Sequence, residues 1–165
     1  MEKTELTVMI CGKGNYVSED NEVFIPPDRE VSYGCYGVRG NSEDMLQQML
    51  YVQRYFGVER PLEPIQMIVE YGILIKYDKT ASAYSESCAE YFSRNHQIDY
   101  CTHQDMQSLR YHAHLLINPI GYLDGKVFDV NIENMNRFCE YLSSTLGMPV
   151  KLILEKEQTY TTNAR

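Results

Sequence analysis

No apolar run in this chain approaches the roughly 20 residues that a membrane-spanning helix needs. The longest, 65-IQMIVEYGILI-75 and 113-AHLLINPI-120, are far shorter, and the N-terminus opens on Glu2, Lys3 and Glu5 rather than on a signal peptide. A soluble, cytoplasmic protein is expected. Paired cysteine is missing too: the five cysteines are odd in number, scattered and never spaced as CxxC. That argues against a disulfide framework and a cysteine zinc ribbon, and fits a reducing compartment. Positive charge is scarce, with 15 Lys and Arg against 23 Asp and Glu, a net charge of −8 and a pI near 5.0. This weighs against a domain that grips nucleic acid through a broad basic face. A local groove, or a bound cation that the sequence total omits, is still compatible with it. Histidine is absent everywhere except between positions 96 and 114, where all four lie.

What is present suffices for a packed core: 165 residues with 44% hydrophobic content point to one domain over residues 1–157. Residues 158–165 read as a frayed C-terminal tail. Apolar residues recur every three or four positions in 42-SEDMLQQMLYVQRYF-56, 80-TASAYSESCAEYFSRN-95 and 131-NIENMNRFCEYLSSTL-146, which predicts three helices. Asn41 or Ser42 and Thr80 are candidate N-caps, and Gly57 and Gly147 candidate stops. Runs rich in β-branched and aromatic residues predict strands at 5–11, 65–75, 97–102, 111–118 and 150–154. A further short strand is expected at 126–130, after the Asp124-Gly125 turn. Order and spacing predict an α+β fold, a central antiparallel sheet with the helices packed on one face. Residues 12–40 carry no legible period.

The histidine cluster is the feature most in need of a reason. On a strand, side chains alternate between faces, so His112 and His114 project from the same side. A loop of about seven residues returns the chain from the preceding strand. If the two strands are antiparallel, His103 then stands beside the pair. Three imidazoles facing one point can hold a metal ion and leave positions open for water and a substrate oxygen. For HxH alone, two polar residues on a solvated face is the plain alternative.

The whole string 103-HQDMQSLRYHAHLLIN-118 resembles the third signature motif of plasmid-mobilisation relaxases, the HUH-type nucleases: a histidine and an aspartate, a short loop, HxH, an apolar triplet and Asn. The similarity extends over roughly residues 5–150 and is strong at 103–118. What it implies is an HUH-endonuclease-like fold in which His103, His112 and His114 bind a divalent metal, Mg²⁺ or Mn²⁺. The implied activity is relaxase-type: a DNA endonuclease and transesterase that nicks one strand at a transfer origin through a phosphotyrosyl intermediate. Accessory transfer proteins are the other expected partners. By position after the first strand, Tyr16 matches the nucleophile, with Tyr33 and Tyr36 as rivals.

Asp105 is a candidate catalytic helper that fixes the tautomer of a ligand histidine; capping the loop is its other reading. Asn118 either orients the site or ends the strand before Pro119. His96 matches no motif position and is expected at the surface. Where such relaxases show Ser-Phe at the end of the strand before the second helix, this chain has Glu70 and Tyr71. With the acidic balance, that keeps in view a non-catalytic DNA- or protein-binding module of the same fold; a replication initiator, which shares the HUH architecture and the tyrosine chemistry, is the other alternative the resemblance implies. An unrelated HxH enzyme would need a carboxylate as fourth ligand, and no residue at a suitable spacing stands out for it.

Overall fold

The computed structural model describes residues 5–13 and 28–154. The chain runs β1 (Leu6–Lys13), β2 (Asp28–Tyr36), α1 (Ser42–Tyr55), β3 (Ile65–Glu70), α2 (Asp78–Ser93), β4 (Ile98–Asp105), β5 (Tyr111–Ile117), α3 (Ile132–Leu146) and β6 (Val150–Ile153). The strands form one six-stranded sheet in the order β2-β4-β5-β3-β1-β6. Neighbouring strands are antiparallel from β2 through to β1. The last pair, β1 with β6, is parallel, so the sheet is mixed. The α+β class and the pairing of β4 with β5 follow the sequence expectation.

Alternation along β5 gives the sheet its two faces. Tyr111, Ala113, Leu115 and Ile117 join Met67, Val69 and Ile98 in the main core, beneath Ala81, Cys88, Ala89 and Phe92 of α2 and Met135, Phe138 and Leu142 of α3. Leu116 points the other way and meets Met45 and Met49 of α1. The helices therefore lie on both faces, not on one as expected. Periodicity identifies an apolar stripe but not which face of the sheet it covers.

Three further expectations are corrected. Residues 126–130 form no strand, only an isolated bridge between Ile120 and Val127. The second helix begins at Asp78, with Tyr77 as N-cap in place of Thr80. Part of the stretch at 12–40 is a long edge strand, β2, paired with β4 throughout. Its charged residues Asp28, Arg29 and Glu30 suit an edge, where charge discourages pairing with other chains.

Capping explains the other helix ends. Asn41 Oδ1 accepts from Asp44 N at 2.9 Å and Asn131 Oδ1 from Asn134 N at 2.8 Å, each satisfying an amide that the helix leaves unpaired. Gly147 closes α3 in the left-handed conformation at φ 67°.

A buried amide knot fastens α1 to the end of the sheet. Asn118 Nδ2 donates to Met49 O at 3.1 Å and Gln97 Oε1 at 2.9 Å, while its Oδ1 accepts from Gln53 Nε2 at 3.1 Å. Beside it His96 is buried, with Nδ1 2.8 Å from Asn118 O. His96 is thus not the surface residue the motif reading suggested. Because a carbonyl only accepts, Nδ1 carries the proton, and burial lowers the ring's pKa.

Tyr71 is fully inside: its hydroxyl shares a 2.7 Å hydrogen bond with Ser85, which also accepts from Thr102 at 2.7 Å.

Gly125 holds φ +68°, and a Cβ there would strike the ring of Phe56. Gly147 has a similar φ with open space around it. Urea unfolding should show Gly147→Ala losing about 1–2 kcal/mol, the cost of a left-handed alanine. Gly125→Ala should lose about 1–3 kcal/mol more through overpacking.

Candidate metal centre

The pairing of β4 with β5 sets His103 opposite His112 and Cys101 opposite His114. All of these lie on the face away from α2 and α3, because their strand neighbours Thr102, Tyr111 and Ala113 point into that core. The three imidazoles converge as the spacing predicted. Ring centroids are 5.7 Å apart for His103 and His112, 4.9 Å for His103 and His114, and 4.8 Å for His112 and His114.

A fourth group completes the cluster, and sequence reasoning missed it. Asp28 Oδ2 lies 3.0 Å from His112 Nε2 and 3.6 Å from His103 Nδ1, with the Asp28 side chain only 9% exposed. Its orientation depends on a β-bulge. The register steps from Glu30↔His103 to Ser32↔Thr102, so β2 spends two residues against one of β4. Ser32 faces α2, where it accepts from Ser82 Oγ at 2.8 Å. Without the bulge, unbroken alternation from Ser32 through Val31 would turn Asp28 to that same side. With it, Arg29 faces α2 and pairs with Asp78 at 2.6 Å, and Asp28 faces the histidines. The only signal in the sequence is the chemical type of Asp28, since a bulge leaves no period to read.

One donor atom from each of Asp28, His103, His112 and His114 lies within 4.8 Å of the other three. Four ligands at about 2.1 Å around a tetrahedral ion stand about 3.4 Å apart, so modest rotamer shifts would close the set on a cation. One atom argues for such a fit directly: His103 Nδ1 is buried and has no hydrogen-bond partner. A buried polar nitrogen left without a hydrogen bond costs free energy, and a metal ion would remove that cost.

Burial governs the protonation of this cluster. It pushes the His114 imidazolium down to about 4, helped by the neighbouring His112 and His103. It also lowers His112, against the opposing pull of Asp28. Both rings are therefore neutral at pH 7, the form in which an imidazole nitrogen offers a lone pair.

The other expected site residues fall as follows. Asp105 Oδ1 accepts from Gln107 N at 2.7 Å and Ser108 N at 3.2 Å, and these amides hold its pKa below the usual carboxylate value. It caps the turn, and the carboxylate that meets the imidazoles is Asp28. Asn118 sits in the amide knot at the opposite end of the sheet. Tyr16 lies outside the described residues. Of its rivals, Tyr36 is on the α2 side, stacked on Tyr100 with centroids 6.0 Å apart. Tyr33 is on the histidine face, paired with Cys101, and its hydroxyl donates to Met45 Sδ at 3.2 Å. Glu70 stands opposite His112 across the β3–β5 pair and is exposed. No protein-family model, no curated protein and no solved structure matches this chain.

The depressed His114 pKa fixes a sign. Between about 4 and 6.5 the unfolded chain binds more protons than the folded one, so the metal-free fold gains stability as pH rises through that window and loses it on acidification. Urea titrations across the window should show this slope, and His114→Gln should flatten it. An unchanged slope in the variant would show that His114 titrates normally in the fold.

Proposed function

We propose that this chain is a metal-dependent, single-strand DNA nicking and strand-transfer domain of the HUH relaxase type, acting in mobilisation of a plasmid or integrative element. The observation that carries the reading is the convergence of His103, His112 and His114 on one face of the sheet; Asp28 beside them is the fourth-ligand carboxylate that an unrelated HxH enzyme would also require. The spacing that brings them together is the one by which the sequence resembles the relaxase motif. Asp28 and the three histidines would hold a divalent cation. When bound, it supplies Lewis-acid stabilisation of negative charge on a phosphate oxygen. Three imidazoles favour a transition ion such as Mn²⁺ over Mg²⁺ in raw affinity.

In the proposed reaction the Tyr16 phenol loses its proton and its oxygen attacks phosphorus. A tyrosyl O–P bond forms, the bond from phosphorus to the 3′ oxygen breaks, and that oxygen leaves as a hydroxyl after taking a proton. The 5′-phosphotyrosyl link conserves the bond energy, and a 3′ hydroxyl can later reverse it. A phenol with a pKa near 10 is a weak nucleophile at pH 7, so attack depends on an environment that favours the phenolate.

A second reading keeps the fold and the cation but not the chemistry: a binding module of the transfer machinery. Specific support for it comes from the net charge of −8 and from Tyr71, which serves the core at the relaxase Ser-Phe position.

Incubation with the element's own transfer-origin strand and Mn²⁺ separates the two. The expected result is a labelled oligonucleotide retained on denatured wild-type protein and lost in Tyr16→Phe, whose metal affinity is unchanged. His112→Ala with His114→Ala should lose metal and adduct together. An adduct that survives in Tyr16→Phe would move the nucleophile to another tyrosine. A wild-type protein that binds Mn²⁺ and forms no adduct would favour the binding module.

A further inference from the structure

The turn joining the two histidine strands presents apolar side chains on a rigid frame. Asp105 N donates to Arg110 O at 2.9 Å and Leu109 N to Asp105 O at 2.8 Å. Gln104 Nε2 fixes Leu109 O at 3.0 Å, and Asp105 Oδ1 ties down two more amides. Within this frame Leu109 adopts φ +61°, the one left-handed residue other than glycine among those described. A left-handed leucine costs about 1–2 kcal/mol where glycine would cost little. It recovers nothing by burial, since Leu109 is 58% exposed, and Met106 in the same turn is 49% exposed. Strain held in place beneath an exposed apolar residue is a mark of function rather than of folding.

The connection from β3 to α2 lies at the same end, because Glu70 pairs with His112 and Tyr71 N donates to Tyr111 O. It exposes Leu74 and Tyr77, the latter by 73%. Lys76, Lys79 and Arg110 are exposed here as well and carry no ion pair among the described residues. Of the acidic groups at this end, Asp28 is engaged by the histidines, Asp78 by Arg29 and Tyr111 and Asp105 by the turn, while Glu30 and Glu70 are exposed. Exposed apolar side chains, one of them the aromatic Tyr77, interleaved with cations that make no ion pair at the end of the sheet where the candidate cation site lies, suit a strand with exposed bases and regularly spaced phosphates.

We propose that the 105–110 turn, with Tyr77, is a base-contacting element that grips unpaired nucleobases of a single strand whose phosphate lies at the histidine cluster. This rests on the nucleic-acid reading of that cluster and adds the residues that hold the substrate. The strained leucine makes it testable without wrecking the fold, because Leu109→Gly relieves strain while deleting the contact.

Fluorescence anisotropy of labelled oligothymidylate with Mn²⁺ present should show Leu109→Gly/Met106→Ser binding about five- to tenfold more weakly than wild type, and Tyr77→Ser similarly. Thermal stability of Leu109→Gly should equal or exceed that of wild type, and Mn²⁺ affinity should be unchanged. Leu123→Ser, at the opposite end, should bind normally, and a duplex of equal length should not distinguish the variants, since its base faces are stacked away. Wild type and variants binding the single strand equally would overturn the proposal. So would loss of binding to phosphatidylcholine/phosphatidylserine vesicles in its place, which would assign the patch to a membrane surface. A wild type that holds Mn²⁺ yet ignores single strands would sink the nucleic-acid reading itself, a signature distinct from equal binding.

Discussion

The register between β4 and β5 is the constraint on which the site depends. His103 stands opposite His112, and His114 follows two residues along the same face. A slip of one residue in β5 would turn both of its histidines into the core beneath α2 and α3. The core resists that slip, because Tyr111, Ala113, Leu115 and Ile117 are all buried in it. The same alternation therefore packs one face and arms the other. The turn adds its own pin, with Asp105 holding the amides that close it.

Asp28 reaches this face through the bulge at Val31 rather than through a regular strand. The result is a carboxylate set among three imidazoles at a partly buried site, an arrangement with clear costs. Burial lowers the pKa of His112 and of His114, and His103 Nδ1 is left without a hydrogen bond. A sequence selected only for stability would replace such a cluster with apolar side chains, which often cost less than buried polar groups. A cation changes the balance. It converts neighbouring lone pairs from a liability into a coordination shell, and metal binding energy becomes folding energy. At the other end of the sheet, the amide knot of Asn118, Gln97 and Gln53 is internally satisfied.

Much of this was legible in the residues. The helices and the β4–β5 hairpin follow from periods of about three and a half and of two, and the HxH spacing alone puts two imidazoles on one face of a strand. What escaped was information that periodicity does not carry. The face covered by α1 depends on tertiary packing of Met45 and Met49 against Leu116. The strand β2 is short of apolar alternation because it lies at an edge. The orientation of Asp28 depends on a single break in strand alternation. His96 looked like an outlier because it matched no motif, yet its ring bonds to the carbonyl of Asn118, a contact made by chain segments 22 residues apart. Glu70 and Tyr71, adjacent in sequence, point to opposite faces, so one stands beside His112 and the other enters the core.

The central claim is that four side chains from three strands form one cation site. Crystals soaked in Mn²⁺ and measured for anomalous scattering test it most directly. The account predicts a single strong peak about 2.0–2.3 Å from nitrogens of His103, His112 and His114 and from a carboxylate oxygen of Asp28. A soaked crystal with no anomalous density at the histidine cluster, or with the ion held elsewhere on the chain, would contradict it.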